Sequence, residues 1–258
     1  MWQIYAPPLL AEMAAWQIET YKRENLVIVK TPFNWPAFSR AWLIILPLLC
    51  LIIWHAMRTG VLPAPTLLPP PARWLNMGEM DNIRIAFHSE YHRAITALSL
   101  HINASHLLGN ILFGSIFLYF LAKRTGYGNA FLLATVAGVA GNLLGLLFHK
   151  QVWLSVGFST AVFAATGALA GMASIMASSK RKFLLTTGAA LGLLALLGTE
   201  GENTDYTAHC AGLVCGYVGG LFYGSRIRLA RPLLPNFMAF ILSFCIYALG
   251  WGIAFYIT

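Results

Sequence analysis

The chain has 258 residues, 58% of them hydrophobic and only 10% charged, with a formal net charge of +8. Soluble domains carry about 25% charged residues, so this composition excludes an ordinary soluble globule and points to a polytopic membrane protein. The positive charge does not indicate a nucleic-acid partner, because the basic residues fall in short clusters between apolar runs and not along one face.

Residues 1–40 are expected to form a cytoplasmic N-terminal segment. Lys22, Arg23, Lys30 and Arg40 precede the first long apolar run, which is not the pattern of a signal peptide. Residues 41–258 then carry seven apolar segments: 41–58, 104–122, 128–148, 158–178, 183–199, 206–224 and 237–257. Each is near the ~20 residues that a spanning helix needs; the fifth is the shortest. The connection from 59 to 103 is long and begins with Pro63, Pro65, Pro69, Pro70 and Pro71. Long loops with apolar residues of their own are often functional, and Ile83, Ile85, Phe87, Ile95 and Leu98 suit one that lies partly in the membrane interface.

Lys and Arg placement gives the orientation. The N-terminal region, Lys123-Arg124, Lys180-Arg181-Lys182 and Arg226, Arg228 and Arg231 together hold 12 of the 17 basic residues. The opposite connections hold Glu79, Asp81, Glu90, Glu200, Glu202 and Asp205. The positive-inside rule therefore predicts a cytoplasmic N-terminus and an extracytoplasmic C-terminus. No Cys-x-x-Cys occurs among Cys50, Cys210, Cys215 and Cys245, which read as buried free thiols.

Polar residues inside these segments are candidates for function, since hydrocarbon is a costly place for them. Ser159 opens the fourth segment and His209 the sixth. A hydroxyl and an imidazole meeting in a dry bundle suggest a nucleophile and its base. The structural alternative for Ser159 is a simple N-cap. Gly212, Gly216 and Gly220 follow His209 on one helical face, and Ala164, Gly167, Ala168 and Gly171 follow Ser159. Small residues at such spacing let membrane helices approach closely, although they also occur where helices merely pack. Phe163, one turn after Ser159, is suited to lie beside the imidazole. His106 and Asn110 share a face of the second segment and suit hydrogen-bond donation to a developing oxyanion, or else helix-to-helix bonding. His101 is expected in a loop with a structural hydrogen bond, and with Asn103 and Ser155 it is expected to line the outer bundle ends. Asp205, four residues before His209, either completes a triad or caps the helix. His101, His106, His149 and His209 lack a metal-ligand spacing, so neither a metal nor a cofactor is expected.

These residues resemble the rhomboid family of intramembrane serine proteases over about 90–225. The resemblance rests on His101–His106–Asn110, on Gly157-Phe158-Ser159, and on Ala208-His209 followed by Ala211-Gly212-Leu213. It implies an all-α membrane helix bundle of six helices plus one C-terminal helix. It also implies a Ser159 nucleophile, a His209 base without an acid, and an oxyanion hole from His106, Asn110 and the Ser159 N–H. Phe163 then matches a ring that packs on the imidazole, and the 59–103 connection matches the family's interfacial loop. The implied partners are transmembrane protein substrates and the lipid bilayer, and the expected location is a bacterial cytoplasmic membrane. Two positions depart from the family pattern: Thr160 stands where Gly is usual after the nucleophile, and His92-Arg93 stands where Trp-Arg is usual. A non-catalytic rhomboid-like protein that binds transmembrane clients is the alternative, and Thr160 is its support.

Overall fold

The computed structural model describes residues 12–13, 15–17, 40–149, 151–176, 188, 205–228 and 234–257. Contacts group the chain into two units, Met1–Asn34 and Trp35–Thr258. In the first unit, the described residues are helical and exposed. The second unit holds the membrane helices.

Its longer helices are α1 (Ile45–Arg58), α5 (Ala104–Thr125), α6 (Tyr127–Gly145), α7 (Ser159–Met176), α8 (Tyr206–Arg228) and α9 (Asn236–Ile257). With their flanking 3-10 turns, α1, α5, α6 and α9 are long and apolar enough to cross a membrane. The 59–103 connection adds short helices α2 (Trp74–Gly78), α3 (Asn82–His88) and α4 (Arg93–Thr96). The strands among the described residues are β1 (Met80–Asp81) and β2 (Leu154–Ser155). The molecule is an all-α polytopic membrane bundle. Of the expected fifth segment, 183–199, Gly188 is helical and the rest lies outside the described residues.

Helix α7 sits at the centre. A helix that is apolar all round is a buried one, and Ala161, Ala164, Ala165 and Ala168 on α7 are fully buried. Helices α5, α6 and α8 pack around it. The contact with α8 is close because side chains are missing there. A Cβ at Gly216 would run into the carbonyl oxygen of Ala164, one at Gly220 into that of Ala168, and one at Gly167 into that of Leu213. Large apolar side chains point outward instead, such as Leu108 and Leu112 on α5 and Phe237 and Leu249 on α9. They supply the surface that lipid chains require.

The long connection is folded, not loose. Arg93 is fully buried, donates to Glu90 at 2.6 Å, and donates to the carbonyls of Asn76 and Glu79, both at 2.9 Å. The position that usually carries an aromatic anchor, His92, is buried as well. Trp74 stacks on Trp54 of α1 at 4.3 Å. Trp251 of α9 donates its indole N–H to Ser99 Oγ at 2.9 Å, and Asn142 of α6 donates to the Ala94 carbonyl at 2.9 Å. Ile85 and Leu98 are buried while Ile83 and Phe87 are exposed, so the connection is amphipathic, as an interfacial element must be.

The glycine contacts predict a contrast in stability. Gly216→Val should destabilise the purified protein by about 1–3 kcal/mol or more, because two backbones must separate. Gly252→Ala, at a position with open space around it, should leave stability unchanged or raise it by up to ~1 kcal/mol. Thermal unfolding in detergent reads both.

Candidate functional site

Strand β2 pairs antiparallel with β1, Met80 opposite Ser155 and Asp81 opposite Leu154. The chain then bends at Gly157, whose φ of +137° is open essentially to glycine alone. A Cβ there would also come within 2.8 Å of the His106 ring and 3.4 Å of Ser159 Oγ. The missing side chain thus leaves a recess bordered by the imidazole and the hydroxyl. The Gly157 N–H donates to the Ala97 carbonyl at 3.0 Å, and the Phe158 N–H donates to His101 Nε2 at 3.4 Å. Burial and the neighbouring His106 hold the His101 imidazole well below its ordinary pKa, so it is neutral and suited to accept. His101 is fully buried and supports the loop that leads into Ser159; it does not line an open bundle end as expected. Asn103 is exposed and caps α5 by accepting the His106 N–H at 2.8 Å.

Phe158, fully buried, is the cap of α7, because its carbonyl accepts the Val162 N–H at 3.0 Å. Ser159 is therefore the first helical residue and not the N-cap. The backbone N–H groups of such a first turn have no partner within their helix and lie at the positive end of the dipole. The Ser159 hydroxyl turns to α8, where Oγ lies 2.7 Å from His209 Nε2. Phe163 covers the imidazole at a ring separation of 4.5 Å. Ser159 is half-buried and His209 buried. Asn110, also buried, donates one amide N–H to the His106 carbonyl at 3.1 Å. The structure thus brings Ser159, His209 and Phe163 together and sets the His106 ring beside the same recess.

Thr160 has a packing reason. Its methyl would be met at 2.9 Å by a Cβ on Gly212 and at 3.0 Å by one on Gly141. The side chain fills a notch between α6 and α8.

The family profile described as Rhomboid domain matches residues 88–226, more than half of the chain. The chain belongs to the rhomboid family. It is 29% identical over 158 residues to the rhomboid protease GluP of Bacillus subtilis (strain 168), covering 60% of this chain and 29% of that protein. It is 28% identical over 165 residues to RHOMBOID-like protein 6, mitochondrial, of Arabidopsis thaliana, covering 60% and 51%. It is 30% identical over 143 residues to rhomboid-like protease 3 of Toxoplasma gondii, covering 53% of each. The chain thus spans between about a third and a half of these relatives.

In this rhomboid, Asp205 does not form a triad. Its carboxylate accepts from the Ala208 N–H at 2.9 Å, the Thr207 hydroxyl at 2.7 Å and the Trp153 indole at 2.9 Å, while His209 Nδ1 is buried without a partner. Sequence reasoning missed Trp153 and His149 as the other half of this cluster. They lie 52 and 56 residues from Asp205, and no spacing rule links residues so far apart. Burial acts to raise the Asp205 pKa, but the bonds from Ala208, Thr207, Trp153 and Ser155 outweigh it and hold the value below that of an ordinary aspartate. A carboxylate with a depressed folded pKa stabilises the fold above its unfolded value of about 3.9 and loses that contribution as the pH falls through the folded value. The stability advantage of wild type over Asp205→Asn should therefore shrink once the pH falls below about 4. Thermal unfolding across an acid series checks this; an advantage that widens on acidification contradicts it.

Proposed function

We propose that this rhomboid is an intramembrane serine endopeptidase that cleaves transmembrane proteins near the outer membrane face. The observation that carries the reading is the 2.7 Å approach of Ser159 Oγ to His209 Nε2 inside an apolar bundle. With the imidazole proton on Nδ1, Nε2 accepts the hydroxyl proton as Oγ attacks the scissile carbonyl carbon. The carbonyl oxygen becomes an oxyanion, stabilised by the first-turn N–H of Ser159, by His106 and by the second amide N–H of Asn110. The imidazolium then gives its proton to the leaving amine, and an acyl–Ser159 ester remains. Water attacks the ester, His209 takes its proton, and collapse of the second tetrahedral species releases the acid and returns the proton to Oγ.

No acid stands behind His209 in this scheme. The Phe163 ring lies over the imidazole, where an aromatic face stabilises the transient imidazolium. The substrate helix must unwind, because a regular helix ties its carbonyls into its own hydrogen bonds. The half-buried state of Ser159 lets hydrolytic water reach it. Basic clusters on alternate connections support a cytoplasmic N-terminus and an extracytoplasmic C-terminus, which puts Ser159 in the outer half of the membrane. The packing of Thr160 against Gly141 and Gly212 supports reading it as a packing residue and not as the mark of a non-catalytic protein.

Detergent-solubilised protein incubated with a transmembrane reporter tests the proposal. Wild type should cleave and Ser159→Ala should not. His106→Ala and Asn110→Ala should each lower kcat by roughly 10²–10³ with the bundle still folded. Cleavage by Ser159→Ala at the wild-type rate would refute it.

A further inference from the structure

We propose that Asp205 is a positioning residue for His209, acting through the helix start and not through the imidazole. Its carboxylate ties the first turn of α8 to the segment that leads into Ser159. This rests on the reading of Ser159 and His209 as nucleophile and base.

The need for such a tie follows from the site. His209 Nδ1 has no hydrogen-bond partner, so no second group aims the ring, and its position must come from its backbone and from Phe163. The body of α8 is locked to α7 by the glycine contacts from Gly212 onward. His209 lies beyond them, towards the helix end, where first-turn N–H groups are unpaired and fraying begins.

Asp205 closes that end. The Ala208 N–H, the Thr207 hydroxyl and the Trp153 indole donate to it, and its own carbonyl accepts the His209 N–H at 3.0 Å. Because the Thr207 proton is directed to Asp205, His149 Nε2, 2.6 Å from Thr207 Oγ, is the donor in that pair. The His149 ring stacks on Trp153 at 4.6 Å and 9°. The strip is fixed on its other side as well. Asn82 donates to the Gln151 carbonyl at 2.7 Å and accepts the Trp153 N–H at 2.9 Å, and β2 pairs with β1. Ser159 lies only six residues after Trp153. One rigid strip therefore holds the nucleophile's helix at one end and the base's helix at the other.

The test is the rate at which a small fluorophosphonate labels Ser159, measured with kcat and KM on a transmembrane reporter and with thermal unfolding. Asp205→Ala should slow labelling and lower kcat by on the order of 10–100-fold, as a small misplacement of a reacting pair does, with KM little changed. Trp153→Phe, which keeps the stacked ring and removes only the indole donor, should move both rates the same way while the melting midpoint stays near that of wild type. Asp205→Asn keeps one acceptor oxygen, for Ala208 and Thr207, but sets an amide N–H against the Trp153 indole, so it should slow labelling as Trp153→Phe does. Undiminished labelling in Asp205→Ala and Trp153→Phe, or a loss confined to KM, overturns the positioning role alone. Wild type that labels no faster than Ser159→Ala overturns the dyad reading and the positioning role with it.

Discussion

The site depends on two helix backbones coming closer than side chains normally allow. Lipid offers no hydrophobic drive to join helices, since its chains are as apolar as leucine, so association relies on dispersion contacts and close fit. Here α7 and α8 meet where Gly216 faces Ala164 and Gly220 faces Ala168, with Gly167 answering from the other side. That separation lets a short serine side chain on one helix reach an imidazole on the other at 2.7 Å. Any side chain larger than hydrogen at these glycines would hold the helices apart by more than a hydrogen bond tolerates.

Polar atoms around the site follow from the same economy. In a medium where an unpaired group is costly, several of the buried ones are engaged by the backbone turns that shape the pocket, while His209 Nδ1 is left without a partner. His101 receives the N–H of Phe158, Asn110 bonds the carbonyl of His106, and Arg93 gathers the carbonyls of Asn76 and Glu79. The connection before α5 is therefore a folded wall. It is wedged against α1 by Trp74 and against α9 by Trp251. The loop before Ser159 leans on this wall through the bond from Gly157 to Ala97. The Gly157 conformation, strained for any other residue, is what clears the space in front of His106.

Much of this is legible in the residues. Membrane spans of ~20 apolar residues are strong signals, and the predicted 41–58, 104–122, 128–148 and 237–257 fall on α1, α5, α6 and α9. The glycine spacing after His209 marks the face that packs on α7. The cap of α7 is less legible: a serine at a segment start reads as an N-cap, yet Phe158 holds that position because its ring is buried and Ser159 is drawn to α8. The cap that Asp205 forms with Ala208 is legible in the sequence, but its distant partners are not, for Trp153 and His149 arrive through tertiary folding alone. Thr160 reads as a defect in the chain and is accommodated by two glycines on other helices, a compensation that no local pattern contains.

The central claim is that the His209 imidazole activates the Ser159 hydroxyl. The most direct measurement is mapping by mass spectrometry of the adduct formed by a fluorophosphonate with wild type and with His209→Ala. The account predicts one modified serine, Ser159, in wild type and loss of that adduct in the variant. Equal modification of Ser159 with and without His209, or modification at another serine instead, would contradict it.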